Sequence, residues 1–207
     1  HVKEKDLAIG MEFFQQPFQQ DLDDYVAGRI SEADLLRRTD YFERWRFDYR
    51  LYRPLLRLAR DHGIPIVALN LEKEITEKVG DRGIEVLSEA ERARIPADMD
   101  RGDEVYRARV RAVFDSHPQM RDHDSEEGKD EPEAADARFE RFLSVQLLWD
   151  EGMAERAARY LQENPGKMMV VLAGAGHLEY GQGIPKRLQR RIQAPAAIVL
   201  NGTERDL

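Results

Sequence analysis

The sequence predicts an α/β fold: a central, mostly parallel sheet with helices on both faces, plus a helical insertion region. Three observations carry this. Four short apolar runs are nearly continuous rather than alternating, as in strands covered on both faces. Long segments of helical periodicity separate them. The order strand, helix, strand calls for crossover connections, which join parallel neighbours. The predicted strands are residues 6–12 (DLAIGME), 64–70 (IPIVALN), 168–174 (MMVVLAG) and 196–201 (AAIVLN).

Each helix has its own local signals. Residues 18–27, 32–45 and 49–62 fill the first gap between strands. Residues 72–79, 88–94, 103–114 and 137–163 fill the second, and 184–192 crosses between the last two strands. Ser31 and Ser88 stand where N-caps belong, each ahead of acidic first-turn residues. Gly63 ends the helix at His62, and Pro65 opens a strand where its missing N–H matters least. Pro54 interrupts the pattern from Tyr49, so a kink or a later helix start is expected there.

The 207 residues carry 40 acidic and 32 basic side chains, a formal net charge of -8. That charge is local. Residues 121–136 (RDHDSEEGKDEPEAAD) hold eight acidic and two basic residues, which leaves the other 191 at a net of -2. This stretch has too little apolar surface to offset its ordering entropy, so a disordered acidic loop is expected. The remainder is one nearly balanced domain over residues 1–207. Such a balance gives no support to nucleic-acid binding, which favours a basic excess. No run of about 18 apolar residues exists to form a membrane-spanning helix. Cysteine is absent, which excludes disulfides, thiolate metal sites and cysteine nucleophiles. The chain opens on HVKEKDLAIG without an initiator Met, and reads as trimmed at its N-terminus.

Ligands in parallel sheets gather at the carboxyl ends of strands. Here those ends supply Glu12, Asn70 and the loop around His177. A carboxylate, an amide and an imidazole at one edge form a site candidate; the plainer reading is that each is satisfied locally. The loop 174–183 (GAGHLEYGQG) is glycine-rich, which suits a backbone that turns sharply or approaches a ligand closely. It fails the dinucleotide fingerprint, because Glu179 stands where the third glycine belongs, and it lacks the Lys-Ser/Thr of a P-loop. His177 and Tyr180, three residues apart, can reach one ligand from a single helical turn.

Two further clusters stand out. Residues 37–60 contain eight arginines, with Arg46, Arg50, Arg53, Arg57 and Arg60 at helical spacing beside Trp45, Tyr49, Tyr52 and Leu56. They can grip carboxylates or phosphates, or form a solvated face paired to Asp48 and Asp61. Within 138–160, Gln146, Trp149, Asp150 and Met153 share one helical face. A Gln and an Asp on an otherwise apolar face point toward something polar: a metal, a water or a backbone loop.

The segments GMEFFQQPFQQDLDDYVAGRI, RPLLRLARDHGIPIVALN, EITEKVGDRGIEVLSEAERARIP, QLLWDEGMAE and VVLAGAGHLEYGQGIPKRL resemble the ChaN family of haem-binding, iron-regulated lipoproteins. That family belongs to a superfamily with the Tiki metalloproteases and erythromycin esterases. The resemblance runs along nearly the whole chain outside the acidic stretch and implies an α/β fold with a parallel-containing sheet. It matches Glu12 to the family's GME element, Gln146, Trp149 and Asp150 to the QLLWDE helix, and His177 and Tyr180 to the GHLEYG loop. One departure stands out: ChaN-like proteins usually open on a Gly-Glu-x-His-Asp-type motif, and this chain starts just after it.

Two functions follow as expectations. The first is a haem-binding protein of iron uptake, with His177, Tyr180, Gln146 and Trp149 as cofactor-binding residues and a homodimer as its assembly. The resemblance implies a periplasmic or outer-membrane-anchored location, through a lipid anchor upstream of residue 1. The second is a metal-dependent hydrolase of the superfamily, in which Glu12, Asp150 and His177 are catalytic and His177 and Glu12 hold a divalent metal.

Overall fold

The computed structural model describes residues 6–117 and 132–201. These divide into two compact units, one formed by His1–Glu72 with Gly152–Leu207 and one by Lys73–Glu151.

The first unit holds the sheet. Its strands are β1 (Leu7–Gln15), β2 (Ile66–Asn70) and β3 (Met168–Leu172), in the order β2-β1-β3 and all parallel. Helices α1 (Gln19–Val26), α2 (Glu32–Arg38), α3 (Tyr41–Arg44) and α4 (Arg53–His62) connect β1 to β2. The apolar runs predicted three of these strands, and their burial explains the lack of alternation: β1 is buried from Ala8 to Gln15 and β2 from Ile66 to Leu69. Ile9, Met11, Phe13 and Phe14 pack with Leu22 and Tyr25 of α1, Leu35 of α2 and Leu56 and Ala59 of α4. At the other side of the strand, a Cβ on Gly10 would lie 2.9 Å from Leu69 Cδ1 and 3.0 Å from Met169 Sδ, so the central strand has room only for glycine there.

The fourth predicted strand does not form. Residues 192–200 have no regular structure, and Ile198, Val199 and Leu200 are exposed. An apolar run measures the capacity to be buried, whereas a strand also needs a paired neighbour. The long helix predicted over 32–45 also breaks. Asp40 adopts a left-handed φ of 47°, which ends α2 and restarts the chain as α3. Pro54 lies in the first turn of α4, where its missing N–H costs nothing, so the later helix start is what occurs. Ser31 caps α2 in a box with Asp34, and Gly63 closes α4 at φ 64°.

The outer edge of β2 is closed by a side chain. Gln19 donates to Ile66 O at 2.8 Å and accepts from Ala68 N at 2.9 Å, and so takes the place of a strand neighbour. Where the pairing of β1 with β2 shifts register, Gln16 donates to Leu69 O at 3.0 Å. On β3, the Met168 and Val170 side chains are exposed.

The second unit is helical: α5 (Lys73–Arg82), α6 (Glu89–Arg92), α7 (Glu104–Ser116) and the first part of α8 (Pro132–Glu163). It corresponds to the predicted helical insertion. Tyr106, Val110 and Phe114 recur every fourth residue along α7 and pack on Phe139, Leu143 and Leu147 of α8. Because α8 begins at Pro132, residues 132–136 of the acidic stretch are helical rather than loop, and Asp136 pairs with Arg111 at 3.0 Å. Residues 121–131 of that stretch lie outside the described residues.

Two predictions follow from local contacts. A Cβ on Gly152 would come within 2.7 Å of Leu71 Cγ. Helix propensity alone favours Ala over Gly by about 1 kcal/mol, but this contact is with the branch point of a buried leucine, which must change rotamer or shift to relieve it. Gly152→Ala should therefore be net destabilising, by about 1–3 kcal/mol, and a denaturant midpoint at or above wild type would show that Leu71 yields. At α6, Ser88 and Glu91 form a capping box, and Lys78 lies 2.8 Å from the Glu91 carboxylate. The Lys78 bond first, then the Ser88 bonds, lower the Glu91 pKa to about 2. The folded value is depressed, so the stabilisation is present above the unfolded pKa and is lost as pH falls through about 2. A carboxyl-carbon NMR titration of Glu91 should show its midpoint there rather than near 4.5.

Candidate functional site

Glu12 is the residue around which the site is built. β1 runs on past the end of β3: Met11 pairs with Leu172, and Glu12 is the next residue. On the other edge the register to β2 shifts between Met11 and Gln15, so a bulge frees this part of β1 from regular pairing. The chain leaving β3 then presents a backbone N–H with no strand to take it. The Glu12 carboxylate does so: Gly174 N donates to Oε2 at 2.6 Å. The other oxygen, Oε1, lies 3.3 Å from His177 Nε2, and the two side chains are only 9% and 12% exposed. Gly174 is the N-cap of α9 (Ala175–Leu178), a single turn whose His177 N–H donates back to Gly174 O at 2.9 Å. A Cβ at position 174 would be in ordinary contact with Glu12 Oε2 at 3.6 Å and His177 Cδ2 at 3.8 Å. One buried carboxylate therefore holds both ends of the α9 turn.

The expectation that His177 and Tyr180 share a helical turn is not met. After Leu178 the backbone extends at Glu179 (φ -53°, ψ 139°) and turns left-handed at Tyr180 (φ 57°, ψ 7°) and Gly181 (φ 68°). His177 lies against Glu12, and Tyr180 is 82% exposed. The left-handed conformation costs a non-glycine residue roughly 1–2 kcal/mol. The loop thus carries a strained backbone that presents a phenol to solvent. The helix α10 (Ile184–Arg191) follows and packs on this turn.

Of the other predicted residues, Asn70 is satisfied locally, its Oδ1 accepting from Leu71 N at 2.9 Å. Gln146, Trp149 and Asp150 belong to the second unit, on α8. Asp150 is 1% exposed and accepts a 2.6 Å hydrogen bond from Tyr106 Oη. Its neighbour Glu151 is fully buried and accepts from Asp100 N at 2.8 Å. Gln146 and Trp149 are half-buried. Sequence reasoning missed Tyr106, although its place on the apolar stripe of α7 signals a buried phenol that must find an acceptor. It also missed the Gly174 N–H, which has no side-chain letter to announce it.

The arginine cluster follows the plainer reading. Residues 45–48 are not helical, so Arg46 to Arg60 do not form one helical stripe. Arg53 and Arg57 flank Glu32 at 2.7 and 3.0 Å, Arg50 pairs with Asp48, and Arg60 pairs with Asp61 and lies over the Tyr25 ring. Among the described residues there is no group of three or more His, Asp and Glu placed to hold a metal ion. None of the described helices is long and apolar enough to cross a membrane.

A three-stranded parallel sheet with a glutamate-anchored loop after its edge strand defines the class: an α/β chain with its candidate site at the carboxyl end of the sheet. Residues 1–188 match the family model described as haem-binding uptake, Tiki superfamily, ChaN, and the chain belongs to that family. Its fold resembles that of a solved ChaN of Campylobacter jejuni, described as binding haem cofacially, with a TM-score of 0.60 and 16% identity. That match covers 89% of this chain and 62% of ChaN. The chain is also 26% identical over 206 residues to the chloroplastic Protein RETICULATA-RELATED 5 of Arabidopsis thaliana. It spans 95% of its own length in that match and 26% of the plant protein.

The anchoring role of Glu12 gives a direct prediction. Glu12→Ala removes the acceptor of the Gly174 N–H and should cost about 1 kcal/mol, with faster amide hydrogen exchange at residues 174–178. Glu12→Gln keeps an acceptor and should lose less. Unchanged exchange in the alanine variant would mean that the loop is held by other contacts.

Proposed function

We propose that this chain binds haem and that Tyr180 supplies the iron ligand. The observation that carries the reading is the conformation of Tyr180: 82% exposed, at a left-handed φ of 57°, on a loop whose base is fastened by Glu12. Strain at a residue that makes little use of its own burial is expected where the side chain has work outside the fold. Phenolate is an established axial ligand for ferric haem. His177, also a ligand type, is engaged with Glu12 and is the poorer candidate. Membership of the haem-binding uptake family and the likeness to a haem-binding ChaN support the same ligand. The residues fit it: an accessible phenol for the iron, and exposed Lys186 and Arg190, one turn apart on α10, as cations for the propionates.

When bound, haem would supply iron to this loop as cargo or as a redox centre. The chain's own part is to present the phenolic oxygen and to fix the base of the loop through Glu12. The finer role in this reading is iron acquisition, at a periplasmic or outer-membrane location and as a homodimer.

Titration with hemin should give a saturable Soret shift of high-spin ferric type. Tyr180→Phe should weaken binding at least tenfold (about 1.4 kcal/mol), with loss of the phenolate charge-transfer band. A hemin spectrum unchanged by stoichiometric wild-type protein would sink the proposal. Stoichiometric divalent metal in the purified protein, bound through Glu12 and His177, would favour the hydrolase reading instead.

A further inference from the structure

The predicted fourth strand is absent, and what stands in its place is chemically unusual for a surface. Residues 192–201 (IQAPAAIVLN) carry no charge. Within them Ile198 is 42%, Val199 83% and Leu200 45% exposed, three consecutive large aliphatic side chains left in water. Singly such residues need no explanation, but a contiguous uncharged run marks a surface that something covers.

Its location says what. A Cβ built on Gly181 would lie 3.6 Å from Ile198 Cδ1, so the run passes directly beside the left-handed turn of Tyr180 and Gly181. Gly181 has no side chain to stand between them, and it takes up its φ of 68° without the strain another residue would carry. The aliphatic run therefore reaches, through Ile198, the glycine that directly follows the exposed phenol.

We infer that residues 198–200 form the apolar wall on which a porphyrin macrocycle lies when Tyr180 takes its iron. The inference rests on the haem reading and adds to it the surface that covers the ring. Ring binding needs a large flat apolar face next to the ligand, with polar contacts confined to its margin. The run supplies the apolar character, having neither charge nor a side-chain hydrogen-bonding group from Ala194 to Leu200. The cations that suit the propionates come from outside it, on α10. Among the described residues Phe42, Phe47 and Leu51 are as exposed, but they belong to the connection between β1 and β2. Because Val199 is exposed in the free protein, changing it leaves the fold intact. The effect of a substitution falls on the ligand.

The test uses the full 207-residue chain and two porphyrins. Hemin reports wall and iron ligand together. Metal-free protoporphyrin IX offers no iron to Tyr180, so its fluorescence reports the wall alone. Val199→Asp should weaken both ligands roughly tenfold or more, since a Val contact is lost and a carboxylate is covered. Its circular dichroism and Tm should match wild type. Ile198→Asp serves as a second variant and should act in the same direction. Wild type that binds hemin while Val199→Asp binds both porphyrins equally well overturns the wall and leaves Tyr180 in place. Wild type that leaves the hemin spectrum unchanged overturns the haem reading and the wall with it. Self-association of ligand-free protein, abolished by Val199→Asp with hemin affinity unaltered, assigns the surface to a second copy and also overturns it.

Discussion

The sheet depends on β1. It is the only strand of the described sheet bonded on both edges, and it is buried on both faces from Ala8 onward. Everything else in the first unit is placed by its phase. One set of alternate residues meets α1, α2 and α4, while Gly10 leaves room for Leu69 and Met169. A one-residue slip would exchange the faces, putting side chains where only glycine fits and turning Glu12 away from the loop. The position of the carboxylate that anchors the loop is thus a consequence of strand packing.

The site grows from a mismatch in length. β1 extends to Gln15, while β3 stops at Leu172. The backbone that leaves β3 must find acceptors elsewhere, and Glu12 is the group at hand. A buried carboxylate is expensive unless hydrogen-bonded, so its contact with Gly174 N–H and His177 satisfies both sides of the arrangement. Beyond this fixed base the chain takes up the left-handed turn that exposes Tyr180. Order below and exposure above are two ends of one short segment.

Much of this was legible in the sequence, for reasons that differ by residue. The strands at residues 7–15 and 66–70 announce themselves because burial on both faces demands uninterrupted apolar letters; the run at 168–172 is as apolar, although Met168 and Val170 are exposed. Ser31, Ser88 and Gly63 announce helix ends because each supplies a specific donor, acceptor or φ. Glu12 and His177 stood out by chemical type and position after strands, and the structure joins them. What could not be read was pairing through the backbone. The Gly174 N–H is invisible in a one-letter code, and so is the extended conformation of Glu179 that separates His177 from Tyr180. The run at 196–201 looked like a strand because aliphatic composition is the same for a buried strand and for a surface awaiting cover. Tyr106 and Asp150 lie 44 residues apart in sequence, and only the packing of α7 on α8 makes them partners.

The contact of Gln19 with the sheet has a consequence for how the molecule can associate. Its side chain occupies the donor of Ala68 and the acceptor of Ile66 that an incoming strand would need at β2. A bare strand edge is a template for a further chain. A side chain lying along that edge closes the template without adding a strand, so one glutamine on α1 bars strand addition at this side of the sheet.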